Sequence, residues 1–183
     1  MFSKGFTLVE ILVALSIFVL IISATFGVFT SILFHQRRLL AQQELLNQTS
    51  YLIEYIGRSL RFVKKDGQGV CLSQTGFNYE NPGGNLSIVR FINHLDNDVC
   101  QEFFLDNDGI LNELKEQGLP SPLVSEKIQI NELKFKLAGA RGDDFLQPRV
   151  TIFLEAQVRG GGQEPAIKAI ELQTTISQRN IDE

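Results

Sequence analysis

Between Phe6 and Phe34 lie 29 residues that carry one ionisable side chain, Glu10. A run of that length and polarity crosses a bilayer as a single α-helix, about 43 Å long against a hydrocarbon core of roughly 30 Å. It is too long for a secretory signal peptide, whose apolar region has roughly 7–15 residues and ends at a small-residue cleavage site. A plain single-pass anchor accounts for everything in the run except Glu10. A carboxylate near mid-bilayer costs about 2.5 kcal/mol or more, so it is rare there and usually functional.

Cleavage after Gly5 changes the position of that carboxylate. The new α-amine on Phe6 is a cation, Glu10 lies one helical turn from it, and both sit at the cytoplasmic edge of the membrane. Gly5 has no Cβ, so the backbone there can approach a protease closely. The residues read Lys4-Gly5-Phe6-Thr7-Leu8-Val9-Glu10, followed by Ile11-Leu12-Val13-Ala14-Leu15. This resembles the prepilin signal of type IV pilins and type II secretion pseudopilins: a basic leader ending in Gly, then Phe, then Glu, then a long apolar helix. The Met1–Gly5 leader is unusually short for that family. The resemblance implies a prepilin peptidase that cuts between Gly5 and Phe6 and N-methylates Phe6. It also implies assembly through Phe6 and Glu10 with other pilin or pseudopilin subunits on an inner-membrane platform. Before assembly the helix sits in membrane lipid. Lys4 and the amino terminus favour a cytoplasmic start, whereas Arg37 and Arg38 flank the far end. The motif and the cysteines point the C-terminal part outward, as a single-pass inner-membrane protein and then part of a periplasmic or extracellular filament.

The rest of the chain alternates polar and apolar residues as a folded domain does. From Gln36 to about Val63 there is no Pro and Gly appears only at 57. Leu39, Leu46, Ile53 and Leu60 recur every seven residues, and Leu45, Thr49, Leu52 and Ile56 widen the stripe. This is an amphipathic helix lying on a sheet. Gly27 interrupts the apolar run as a helix breaker or as a helix–helix contact. Short strands are expected over 68–74, 86–92, 101–105 and 109–112, with a loop over 78–85 and a turn at Asp106-Asn107-Asp108-Gly109. The alternation over 127–137 slips phase, which implies a β-bulge near Asn131. Val150, Ile152, Leu154, Ala156 and Val158 face one side of a clean strand. Gly160-Gly161-Gly162 then turns the chain into a last strand whose Ile170, Leu172, Thr174 and Ile176 face the core. Strands that follow a helix with no helices between them make an α+β fold, with the long N-terminal helix packed on an antiparallel sheet. Pilin heads share this architecture. The expected division is a leader over 1–5, a membrane and filament-core helix over 6–34, and an amphipathic helix with its β-sheet head over 35–183.

Chemistry outside the anchor is sparse. The net charge of −4 lacks the basic footprint of a nucleic-acid binder. Cys71 and Cys100 are either two buried thiols or one disulfide, and an even count in an extracytoplasmic domain favours the bond. No CxxC pair exists, and only His35 and His94 could add metal ligands, so neither a metal nor another cofactor is expected. His94-Leu95-Asp96-Asn97-Asp98 could hold a metal or a general base, but an exposed polar loop explains it better. Asp106, Asp108 and Gly109 echo a calcium loop, yet Gly stands fourth instead of sixth and Gln117 occupies the twelfth position. No nucleophile with an activating base emerges, so an enzyme is not expected. Cys100 is followed by 83 residues, unlike the C-terminal disulfide usual in major pilins. The ending over 170–179 resembles large minor pilins and J-type pseudopilins, which implies a minor subunit at or near a filament tip. A non-polymerising membrane-tethered binding protein or adhesin, and an anchored enzyme with a site formed only in three dimensions, are the competing readings.

Overall fold

A computed structural model describes residues 5–116, 118–141, 146–159 and 169–179. The chain divides into two compact units, 1–40 and 41–183. Helix α1 runs from Leu8 to Arg61 and contributes to both. It continues through Gly27, whose added Cβ would meet nothing within 4 Å. From Leu8 to Phe34 the helix surface is predominantly apolar, and all of it is exposed except Thr30, which is half-buried.

Among the described residues of the second unit, nine strands follow the helix in two antiparallel sheets. They are β1 (Val63–Lys64), β2 (Tyr79–Glu80), β3 (Ile88–Asn93), β4 (Val99–Leu105), β5 (Leu111–Lys115), β6 (Ser121–Pro122), β7 (Ile128–Ala138), β8 (Arg149–Val158) and β9 (Ile170–Ser177). One sheet has the order β1-β3-β4-β5-β6, with β2 pairing the same strand β3 beside β1, and the other has the order β7-β8-β9. The architecture is α+β, with a long N-terminal helix and antiparallel sheets.

The helix from Ala41 onward buries Leu45, Thr49, Leu52, Ile56 and Leu60. Their spacings of four, three, four and four residues follow the helical period. The heptad expectation holds only at its end: Leu60 is buried and Ile53 half-buried, while Leu46 is 49% exposed and Leu39, in the first unit, is 56% exposed. Tyr79, Phe91, Phe103 and Phe135 join the same core from the strands. Each large apolar side chain so buried contributes about 1.5–3 kcal/mol. Gly57 admits β9 closely to the helix, since a Cβ there would lie 3.3 Å from Ile176 Cδ1.

Strand periodicity survives well. In β8, Val150, Ile152, Leu154 and Ala156 are buried, and Ile176 is the most buried residue of β9. The β7–β8 register shifts between Ile130 and Glu132, which places the bulge at Asn131. The turn before β5 forms as expected: Gly109 has φ +73°, and a Cβ there would come within 2.9 Å of the Ile130 carbonyl oxygen. The strand expected over 109–112 instead begins at Leu111. The expected strand over 68–74 is absent; those residues form an irregular loop. The N–H groups of Gln68 to Leu72 are taken by the Asp66 carboxylate and that of Ser73 by Glu80, rather than by a neighbouring strand. The Gly160–Gly162 turn, Lys4 and Gln117 lie outside the described residues.

Candidate functional site at the start of helix α1

Thr7 caps the helix. Its Oγ1 accepts from the Glu10 backbone N–H at 3.3 Å, and its carbonyl oxygen accepts from the N–H groups of Glu10 and Ile11 at 3.1 and 3.3 Å. Thr7-Leu8-Val9-Glu10 has the spacing of a capping box, in which Thr is the N-cap and Glu the third helical residue. That signal was present in the sequence and is separate from the prepilin pattern. It gives Glu10 a local reason to start a helix, and its negative charge also suits the positive end of the helix dipole.

Phe6 is 77% exposed and Leu8 75%. Glu10 is exposed and has no ion-pair partner among the described residues. A Cβ added at Gly5 would meet nothing within 4 Å, so the Gly5–Phe6 peptide is open to an enzyme. Beyond Glu10, the hydroxyls of Ser16, Thr25 and Thr30 donate to the carbonyl oxygens of Leu12, Ile22, and Phe26 with Gly27. These polar groups are therefore satisfied inside the helix, as an apolar surrounding requires. The segment is long and apolar enough to cross a membrane, and none of its apolar window is buried by the rest of the chain.

The head contains no convergent reactive centre among the described residues, and no group of three His, Cys, Asp or Glu side chains there could hold a metal ion. His94 Nδ1 and Asp98 Oδ1 are 2.8 Å apart, Lys64 pairs with Asp98, and Lys115 pairs with Asp96 at 2.7 Å. The Asp98 carboxyl is held below its usual range by the hydrogen bonds from Lys64 and His94. Asp106 organises its turn by accepting from the N–H groups of Asp108 and Ile110 and from Asn112 Nδ2.

Two structural centres dominate instead. Asp66 is buried and accepts five backbone N–H bonds, from Gln68, Gly69 and Val70 on Oδ1 and from Cys71 and Leu72 on Oδ2. Burial alone would raise its pKa, but these bonds outweigh it and hold the carboxyl at about 2. The loop it shapes carries Cys71, which is bonded to Cys100 on β4 with a Cα–Cα distance of 5.4 Å. The other centre joins helix to sheet. Tyr55 donates to Glu113 Oε1 at 2.7 Å, Gln101 donates to the same oxygen, and Asn93 donates to Gln101 at 2.6 Å. Burial, then the bond to Glu113, pushes the Tyr55 phenol up to about 12.

Residues 1–26 match the family described as the prokaryotic N-terminal methylation motif. No curated protein and no solved structure matches the chain. The matched segment contains Gly5, Phe6, Thr7 and Glu10 together with most of the apolar run. It indicates the precursor of a type IV pilin-like protein at this end of the chain.

Proposed function

We propose that the chain is a minor structural subunit of a type IV pilus or type II secretion pseudopilus, at or near the filament tip. Prepilin peptidase cuts between Gly5 and Phe6 and methylates the Phe6 amine. The apolar helix then holds the subunit in the inner membrane, with the head outside the cytoplasm, until it joins other pilin-type subunits through the assembly platform. One observation carries this reading. The exposed apolar segment of helix α1, with Glu10 as its one carboxylate up to Phe34, begins within the methylation motif. Such a surface needs a cover, and the motif indicates which kind of processing precedes it.

In a filament, helices pack side by side and exclude water. Glu10 of one subunit then meets the methylated Phe6 amine of a neighbour. The pair offsets the cost of burying both charges and favours one axial register. A minor rather than a major subunit is supported by Cys71–Cys100, which is not the C-terminal disulfide usual in major pilins, and by the resemblance of residues 170–179 to large minor pilins, while Glu10 argues against the tip-most place itself.

Intact-mass analysis of the protein from cells that contain a prepilin peptidase tests processing. The expected chain starts at Phe6 and carries one added methyl group, and Gly5→Leu accumulates uncut in the membrane. Met1 still attached in assembled filaments would overturn the proposal.

A further inference from the structure

The second unit treats its sheet edges unequally. The β1–β6 sheet ends in two strands of two residues each, and β6 follows Pro120 and contains Pro122. Short edges and proline are the usual protection against unwanted pairing. The β7 edge is partly covered, since Phe135 N–H donates to the Leu86 carbonyl and Ile130 N–H to that of Gly109. The β9 edge has eight residues, Ile170–Ser177, without Pro or Lys.

The register shows which groups it offers. Gln178 N–H donates to the Pro148 carbonyl at 2.9 Å, and β8 pairs β9 without a shift. Main-chain direction alternates along an antiparallel strand. The N–H and C=O groups of Ile170, Leu172, Thr174 and Ile176 therefore point to β8. Those of Glu171, Gln173, Thr175 and Ser177 point to the outer edge, where none has a partner among the described residues. All four residues are exposed.

A groove of about 430 Å³ runs beside this edge. Helix α1 lines it with Ile53, Glu54, Gly57, Arg58 and Arg61, and Phe62 follows; Thr174 and Ile176 line it from β9. Arg179 adds a third cation: its guanidinium lies 5.8 Å from the Phe62 ring centre, and its N–H donates to the Arg61 carbonyl. Arg58, Arg61 and Arg179 are exposed and have no ion pair among the described residues, and Glu54 is the one carboxylate of the lining.

We infer that β9 and this arginine-lined groove form a docking site for an extended acidic segment of another protein, which adds to the sheet as a further strand. The outward groups of Glu171, Gln173, Thr175 and Ser177 supply its main-chain bonds. Every second side chain of the added strand faces the helix, because strand side chains alternate between faces. Those side chains meet Arg58, Arg61 and Arg179, which is why the segment is acidic rather than basic. Main-chain pairing gives affinity in such a site, and the alternate side chains give selectivity. The site does not depend on whether the anchor helix enters a filament.

The test uses the full chain in zwitterionic micelles and labelled peptides of about ten residues, alternating valine with glutamate or valine with lysine. Fluorescence anisotropy reads binding, and amide hydrogen exchange reads the edge. The glutamate peptide is expected to bind at least about tenfold tighter than the lysine peptide and to weaken as salt is added. It should slow exchange at Gln173 and Thr175. Arg58→Glu with Arg61→Glu should reverse the preference; both lie in the last turn of α1, so a modest fall in melting temperature accompanies it while the fold, read by circular dichroism, is kept. Gln173→Pro removes an outward donor, leaves the bonds to β8 in place, and should abolish binding. Equal binding of both peptides, no binding, or binding that survives Gln173→Pro overturns the inference. Slowed exchange that needs no peptide and scales with protein concentration would place a second copy of this chain on β9, and so would also overturn it.

Discussion

The Asp66 carboxylate reaches six residues along the chain to accept the Leu72 N–H at 2.9 Å, and it closes the intervening loop around itself. Five backbone donors converge on one buried side chain. The folded carboxyl titrates at about 2 and the unfolded one at 3.8. The contribution is therefore complete well above pH 4 and disappears as pH falls through about 2. Linkage over that window is worth about 2 kcal/mol. Asp66→Asn should destabilise the protein by about 2–3 kcal/mol at pH 7 and flatten its stability between pH 5 and pH 2. Denaturant titrations across that range measure both effects. A variant with the same acid dependence as the parent would show that the cage is not the origin.

The Cys71–Cys100 bond joins residues 29 apart and fastens the same loop to β4. On loop-closure grounds it stabilises the fold by about 3 kcal/mol. Reductant, or Cys71→Ser with Cys100→Ser, should lower the melting temperature by several degrees. Thiol labelling of untreated protein from outside the cytoplasm should find no reactive cysteine. Quantitative labelling there, with melting indifferent to reductant, would count against the bond.

Tyr55 gives the opposite pH sign. Its folded phenol ionises at about 12 and the unfolded one at 10.0. Between those values the unfolded chain has lost the proton and the folded chain keeps it, so stability falls as pH rises. Tyr55→Phe should remove that alkaline loss. At neutral pH it should cost about 1 kcal/mol for the hydrogen bond to Glu113. Spectroscopic titration of tyrosinate absorbance, compared between parent and variant, identifies the late-ionising group.

Glu10→Gln and Glu10→Ala test assembly. Both variants should insert in the membrane, and the proposed cut after Gly5 should be as efficient in them as in the parent. Recruitment, read by crosslinking full-length subunits in membranes, should drop sharply, because removing one partner of a buried ion pair costs about 3–5 kcal/mol. Thr7 caps the helix through Glu10's backbone N–H, and that bond is available to either variant. Undiminished crosslinks at matched expression would mean that Glu10 has no part in assembly.

Properties with a short sequence period could be read directly. The apolar run and its one carboxylate needed no contacts to recognise. The bulge at Asn131 appears as a one-residue slip in alternation, because side chains on a strand change face at every step. The inward phase of Ile152 and Ile176 follows from the same rule. Properties that depend on distant residues meeting were decided by the tertiary structure. Residues 68–74 alternate as a strand might, but a buried Asp66 offered their N–H groups better partners than any sheet did. Leu39 and Leu46 share a heptad with Leu60, yet which helical face is buried depends on where the sheets lie. The two cysteines were compatible with free thiols until β4 brought Cys100 beside the loop that carries Cys71. Likewise, nothing local relates Arg58 and Arg61 to Thr174 and Ile176. They line one groove because Gly57 lets β9 approach the helix, a contact between residues more than a hundred positions apart that no local pattern encodes.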